Sequence, residues 1–312
     1  MPDNSSSNKL IAKQPMPYTF KPIIKKLIWG EEKWVLSAVE GSESVCVETG
    51  QTISKLIKEQ GAALVGKDVY ARFGNTFPLL IKFIEANMDL SVQVHPSDDI
   101  ARKYGQPWGK TEMWYALPPA EEHAKIYCGL NKHITPDEYK QMVEDKTIMS
   151  AIAEYDVQDG DCFFIPAGRI HSIGHGCRVC EVQQTSDTTY RIYDFDRVDK
   201  NGNRRELHTE KAAESINFDD MMTDGRTALN RPKGKDVSQL ISCPYFTTNA
   251  LHVEKELERD YSSIDSFVCF VCTEGEGCIT TPFSKGDLLL LPAATKKVKY
   301  TGTFKALEVF IA

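Results

Sequence analysis

One eight-residue phrase occurs twice in this chain: Gly160-Asp161-Cys162-Phe163-Phe164-Ile165-Pro166-Ala167 returns as Gly286-Asp287-Leu288-Leu289-Leu290-Leu291-Pro292-Ala293. Each copy is a turn, an apolar run of β character and a proline stop, as in a strand arriving at the rim of a sandwich or barrel. A chain that carries such a unit twice is predicted to fold as two related β-domains. Five residues beyond the proline, the first copy has His171 where the second has Lys297. The second copy has lost a metal-binding side chain, so the chemistry belongs to the first.

A length of 312 residues exceeds the usual size of one hydrophobic core and agrees with two domains. The expected division is a flexible tail over 1–17, a catalytic domain over 18–222, a linker over 223–236 rich in Gly, Arg, Lys and Pro, and a smaller domain over 237–312 without metal ligands. Strands are expected at Lys33 to Ser37, Val45 to Glu48, Leu79 to Glu85, Leu90 to His95, Glu112 to Ala116, Cys162 to Ile165 and Val179 to Gln184. Turn residues separate them at intervals that suit an antiparallel sandwich or jelly roll. The fold class is therefore mainly β with a few short helices. Thr135-Pro136-Asp137-Glu138 is a capping box with proline at the first helical position, opening a helix through about Glu144 and a second one to Ala153. Thr52 to Gln60, Ser97 to Tyr104 and Thr209 to Ile216 are the other helical segments.

The formal charge of −7 argues against nucleic acid or an anionic membrane as partner. An anionic small substrate then requires local clustering of Lys and Arg. There is no apolar run of about 18 residues to span a bilayer. Met1 to Lys13 is polar and Ser-rich without the apolar centre of a secretory signal, so a cytoplasmic location is expected. Cys177 and Cys180 form a CxxC, as do Cys269 and Cys272, yet both pairs sit in apolar β-like runs. Buried reduced thiols suit that setting better than a four-thiolate zinc site.

The chemistry-bearing residues lie in three short stretches. In an extended strand alternate side chains share a face, which pairs Gln93 with His95 and Lys110 with Glu112. A zinc site that does chemistry takes a few ligands from His, Asp and Glu and keeps a position open. His95, Glu112 and His171, with Gln93 as a fourth donor, answer that description. His175 competes, but its Gly174-His175-Gly176 setting reads as a loop; His123 sits in an acidic, solvated stretch, and His133 and His208 precede helices.

Gln93-Val94-His95-Pro96, Lys110-Thr111-Glu112-Met113, Ile165-Pro166-Ala167-Gly168-x-x-His171 and Gln183-Gln184-x-Ser186-Asp187-x-Thr189-Tyr190-Arg191 resemble the short bacterial phosphomannose isomerases of the cupin superfamily. The resemblance runs from about Lys21, with Trp29-Gly30 at its start, to the C-terminus. It implies paired cupin β-domains, one zinc ion in the first, His95, Glu112 and His171 as its ligands, Arg191 as a catalytic residue, and interconversion of mannose 6-phosphate and fructose 6-phosphate. Longer members of the family carry a helical insertion for which this chain has no room.

Aldose–ketose isomerisation passes through an enediol or enediolate whose oxygens carry negative charge. A Lewis-acid metal stabilises them, and imidazole with carboxylate suits zinc without excluding manganese or cobalt. Lys110 is the candidate for proton transfer or substrate orientation. Arg191, a poor base with a planar fork, is assigned to charge stabilisation. Lys82, a charge inside the apolar run Leu79 to Ile84, either meets an anionic ligand or faces solvent; with Ser91 it is the candidate phosphate site. In the run Tyr190 to Arg197, Asp194 is expected to orient Arg191. An iron-dependent cupin oxygenase and a non-catalytic sugar-phosphate-binding cupin remain as alternative functions, and the chain is either a monomer or a homodimer.

Overall fold

The structure is a computed structural model that describes residues 16–222, 229–230 and 236–311. Most of the expected tail and most of the expected linker lie outside those residues. Two β-sandwich lobes follow one another along the chain.

The first lobe packs a seven-stranded antiparallel sheet against a five-stranded one. The larger sheet runs in the order Leu229–Asn230, Cys162–Ile165, Glu112–Leu117, Arg178–Gln184, Leu79–Ala86, Gly30–Leu36 and Ile23–Leu27. The smaller runs Ile152–Asp156, Lys125–Leu130, His171–Ile173, Val92–Val94 and Tyr190–Tyr193. Side-chain alternation assigns each face its partner. On the larger sheet Met113, Tyr115, Cys180, Val182 and Ile81 point outward into a core shared with the second lobe, where they meet Phe246, Phe267, Leu290, Leu307 and Val309. The opposite residues, Trp114, Ala116, Phe163, Ile165 and Val179, fill the interior of the first sandwich with Ile126 and Ile173. On the smaller sheet Val92 and Val94 turn outward under Tyr139 and Ala212 of two helices, Pro136–Glu144 and Thr209–Ser215. Gln93, between those valines, is therefore left facing inward.

In the second lobe one long strand, Lys297–Phe310, serves both layers. Its first part pairs with Glu256–Asp260 and its last part with Thr247–Val253, while Val268–Cys278 runs along most of its other edge. The repeated phrase is a structural repeat. Cys162–Ile165 pairs with Glu112–Leu117 as Leu288–Leu291 pairs with Val268–Cys278. In each copy the aspartate side chain accepts the backbone N–H three residues upstream, Gln158 to Asp161 and Ser284 to Asp287.

The capping box is complete: the Thr135 hydroxyl accepts from Glu138 N–H, and the Glu138 carboxylate accepts from Thr135 N–H. Thr52 and Ser97 cap Ile53–Gln60 and Asp98–Lys103 through the hydroxyl alone, which accepts from Lys55 N–H and Ile100 N–H. Three expectations are corrected. Helix does not continue to Ala153, because Lys146 takes a positive φ of 58° and the chain resumes as a short 3-10 turn, Ile148–Ala151, followed by the strand Ile152–Asp156. Of Val45 to Glu48 only Val45–Cys46 is strand. Within the span read as linker, Leu229–Asn230 pairs with Cys162–Phe163 at the edge of the larger sheet. The helices Ala62–Val65 and Lys67–Phe73 and the strand Lys125–Leu130 were not anticipated.

Candidate metal centre and adjoining cavity

Three separate backbone devices bring the polar residues together. The strand Val92–Val94 leads into His95 and Pro96, and Gly168 N–H donates to the His95 carbonyl at 2.9 Å. Gly168 has φ +90°, and a Cβ there would lie 2.9 Å from the Ser215 carbonyl oxygen, so the turn that leads into His171 needs glycine. Gly109 packs so tightly against the Pro96–Asp98 turn that a Cβ would come within 2.8 Å of three backbone atoms. That approach allows Lys110 N–H to donate to the Pro96 carbonyl at 3.0 Å and sets the Lys110 side chain beside His95.

His95, Glu112 and His171 offer ligand atoms that all lie within 4.8 Å of one another, and all three residues are buried. The His95 and His171 Nε2 atoms are 3.1 Å apart. Each ring directs Nδ1 at a backbone carbonyl, His95 at Thr188 (3.0 Å) and His171 at Arg169 (2.8 Å). Nδ1 is thereby the donor, and both Nε2 lone pairs face the same point, the tautomer a metal requires. Two nitrogens bound to one tetrahedral zinc at about 2.0–2.1 Å would stand about 3.3 Å apart, close to what is seen. The Glu112 oxygens lie 3.3 Å from His95 Nε2, 3.6 Å from His171 Nε2 and 3.0 Å from Lys110 Nζ. Neither oxygen makes a well-aligned hydrogen bond despite complete burial. Lys110 supplies one positive charge beside Oε2, but the carboxylate and the two imidazoles still converge without a well-aligned donor among them, an arrangement costly in a buried site unless a further cation completes it, so the donor set fits a divalent metal.

The electrostatics agree. Burial, reinforced by the Lys110 ammonium, pushes the His95 imidazole down to about 3, and burial pushes His171 down as well, so both rings are neutral, the form in which imidazole can bind a metal. Burial alone would raise Glu112, but Lys110 and His95 outweigh it and hold the carboxyl well below its ordinary value. Gln93 Nε2 is 3.3 Å from His171 Nε2, and Gln93 Oε1 accepts from Ser91 Oγ at 3.4 Å. A half-turn of the amide would aim the oxygen at the cluster and leave Nε2 to donate to Ser91.

A cavity of about 300 Å³ adjoins the cluster, with Gln93, Trp114, Glu181, Ser91, Thr189 and Arg191 in its wall. Lys82 lines it too and is buried, so of its two expected settings the solvent-facing one is corrected. Its Nζ lies 3.3 Å from Glu32 Oε1 and 3.1 Å from Glu181 Oε1, and these two carboxylates, outweighing burial, raise its pKa. Lys82 already has its counter-charge. Asp194 does not orient Arg191 by a hydrogen bond either: its carboxylate takes Arg197 and Arg205. Arg191 is fixed through its backbone N–H, which donates to His208 Nδ1 at 3.0 Å, and through Nη1, which donates to the Glu206 carbonyl at 2.8 Å. His175 pairs with Glu121 at the surface.

Sequence reasoning passed over Glu181. Burial, with Glu112 nearby, raises its carboxyl pKa against the pull of Lys82 and Lys110, and its Oε2 accepts from Trp114 Nε1 at 2.9 Å. The signal was present. A carboxylate interrupts the apolar run from Val179 to Val182 just as Lys82 interrupts its own.

Residues 4–156 match the family model described as phosphomannose isomerase type I, catalytic domain. The mannose-6-phosphate isomerase ManA of Bacillus subtilis is 32% identical over 92% of this chain and 96% of its own length. The chain belongs to the mannose-6-phosphate isomerase family. A second relative of that name, from Streptococcus mutans, is 33% identical over 87% of this chain and 85% of its own. The crystal structure of the B. subtilis mannose 6-phosphate isomerase superposes with a TM-score of 0.81 at 27% identity, covering 95% of this chain and 99% of that one. The architecture of this isomerase is thus the mainly β cupin fold. No helix among the described residues is long and apolar enough to cross a membrane.

Proposed function

We propose that this chain interconverts mannose 6-phosphate and fructose 6-phosphate through an enediolate, with one zinc ion held by His95, Glu112 and His171 and with Gln93 as a fourth donor. The observation that carries the reading is the convergence of two Nε2 lone pairs on a buried carboxylate that lacks a hydrogen-bond partner. Manganese and cobalt accept the same donors, but two imidazoles and one carboxylate suit zinc best. Family membership favours isomerisation over the oxygenase and the non-catalytic binder.

The reaction removes the C2 proton of the open-chain aldose and returns a proton at C1, while the carbonyl moves from C1 to C2. A bound zinc ion supplies Lewis-acid polarisation of the sugar oxygens. Lys110 is the proton-transfer group; its Nζ stands 3.1 Å from His95 Nε2, with Glu181 Oε1 facing it at 3.8 Å. Arg191 stabilises the oxygen charge of the enediolate, its buried Nε being without a partner. Trp114 packs edge-on against His171, with ring centroids 5.3 Å apart, and excludes water from that side. Sugar phosphate is the sole partner that the chemistry requires, and neither nucleic acid nor a membrane has a part in it.

The test is metal analysis and a coupled mannose 6-phosphate assay on one purified sample. One zinc per chain and loss of turnover on chelation, restored by zinc, are expected. Full activity in a metal-free sample would refute the reading.

A further inference from the structure

We propose that Asp98 is a positioning residue for Lys110, and that Tyr245 of the second lobe holds Asp98 in place, so that the second lobe takes part in the reaction as well as in the shared core. The assignment rests on the isomerase reading, in which Lys110 moves the proton.

The Lys110 side chain is buried among His95, Glu112 and Glu181. Its backbone lies in the connection between the helix Asp98–Lys103 and the strand Glu112–Leu117. The ammonium is therefore placed by whatever fixes that connection. Three successive N–H groups do so. Gly109 N–H donates to Asp98 Oδ1 at 2.8 Å, Lys110 N–H to the Pro96 carbonyl at 3.0 Å, and Thr111 N–H to Gln184 Oε1 at 2.8 Å. The outer two are joined, because Gln184 Nε2 donates to the same Asp98 Oδ1 at 3.1 Å. One carboxylate oxygen thus secures the backbone on both sides of Lys110.

The other oxygen is met from across the lobe boundary. Tyr245 lies in the turn between the strands Val237–Ser242 and Thr247–Val253, and its hydroxyl donates to Asp98 Oδ2 at 3.1 Å. Burial, with the Asp98 carboxylate beside it, pushes that hydroxyl up to about 12, so it stays a donor at neutral pH. Arg72 of the first lobe steadies the same turn through Nη2, which donates to the Pro244 carbonyl at 3.2 Å. The terminal torsion of an aspartate is broad, and a donor on each oxygen fixes the plane of the carboxylate. Asp98 and Tyr245 lie outside both the donor set and the cavity wall. Their effect is nonetheless kinetic, because misplacing a catalytic group by about 1 Å costs on the order of a hundredfold in rate. Lys305 also crosses the boundary, to Asp159 at 3.0 Å, but at the far end of the strand Glu112–Leu117, where Ala116 N–H meets the Asp161 carbonyl.

The experiment uses the full-length, zinc-loaded chain with mannose 6-phosphate as substrate. Asp98→Ala should lower kcat by about tenfold or more, move KM by less than about threefold and keep one zinc per chain. The deuterium isotope effect on kcat with C2-deuterated substrate should be no smaller than in the wild type, because proton transfer is the step that slows. Tyr245→Phe should lower kcat by about threefold, and the double variant should be no slower than Asp98→Ala, since Tyr245 acts through Asp98. Lys305→Met, which breaks the other contact, should keep wild-type kcat and KM. In the metal-free chain, hydrogen exchange at the Gly109 amide should quicken by about tenfold or more in Asp98→Ala, and by less in Tyr245→Phe.

A lowered melting temperature with wild-type kcat in Asp98→Ala would make the contact purely structural and overturn the proposal, as would loss of zinc or a reduced isotope effect. Additive losses in the double variant, or wild-type Gly109 exchange in Tyr245→Phe, would overturn the part given to the second lobe. If Asp98→Ala does not fold, Tyr245→Phe decides alone: wild-type kcat and Gly109 exchange there overturn the proposal. Absence of turnover in the wild-type chain would instead strike at the isomerase reading itself, and the exchange rates would still show whether Asp98 and Tyr245 hold the Lys110 segment.

Discussion

Glu181 and Glu308 occupy the same place in the two lobes. Glu181 stands opposite Trp114, which stands opposite Phe163, the fourth residue of the first repeated phrase. Glu308 stands opposite Phe270, which stands opposite Leu289, the fourth residue of the second. On its other side Glu181 meets Lys82, and Glu308 meets Asn249. What surrounds the carboxylates differs. Glu308 receives Arg259 through both Nε and Nη2 at 2.8 Å, the Tyr261 hydroxyl at 2.7 Å and Asn249 Nδ2 at 2.7 Å, which satisfies both oxygens. Glu181 accepts Trp114 on one oxygen and shares Lys82 with Glu32 on the other, at 3.1 Å, without a well-aligned hydrogen bond and in the wall of the cavity. One strand frame can thus serve stability or chemistry, according to whether its inward polar groups are completed from within the protein.

The largest expected effect tests the half of the comparison that does chemistry. Glu112→Ala should release the metal and lower turnover by at least about a hundredfold while the β-core stays folded. Wild-type zinc content by plasma emission would remove Glu112 from the ligand set. Arg191→Ala should keep its zinc and lose about 3 kcal/mol of transition-state stabilisation, the scale of one oxyanion donor. Unchanged kcat/KM would take Arg191 out of the mechanism.

The second lobe should respond in the opposite sense. Glu308→Ala leaves Arg259 and Tyr261 without their acceptor and should cost about 3 kcal/mol in denaturant unfolding, somewhat less to the extent that Arg259 reaches solvent. Its zinc content and kcat should match the wild type; loss of metal there would break the division of labour between lobes.

A smaller effect depends on pH. The folded pKa of His95, about 3, lies below its ordinary 6.5, so on acidification the unfolded chain takes up a proton that the folded chain refuses. The metal-free protein should therefore lose stability as pH falls from about 6.5 toward 3. Glu112, held below its ordinary 4.5, adds to the loss at the acid end of that window. Melts of the metal-free chain at pH 5 and 7 measure it, and His95→Gln should flatten the difference. Smallest of all is Lys297→His. It restores the imidazole of the first copy, but the Lys297 side chain is 76% exposed beside Asp260, so zinc should stay at one per chain.

Much of the site was legible because its donors announce themselves one strand at a time. Gln93 and His95 share a face by alternation, and Glu112 interrupts an otherwise apolar strand. Lys82 was legible only in part. A charge in an apolar strand signals that a partner is needed, but Glu32 and Glu181 come from different strands, and nothing local names them. Arg205 gave no sign at all, since its place at the cavity depends on Asp194, eleven residues earlier across an irregular segment.

By itself the sequence determined what depends on neighbours along the backbone. The period-two alternation, the Thr135 capping box, the Gly-Asp turns of the repeat and the identity of the candidate metal donors are of this kind, because dihedral preferences and short hydrogen-bonded loops act over a few residues. Only the tertiary structure decided which charges cancel. His95 meets His171 across 76 positions, Lys82 meets Glu32 across 50, and the core between the lobes joins Met113 to Leu307. Such pairings are set by strand register and by the requirement that every buried charge find a counterpart, and both come into being only when distant segments pack.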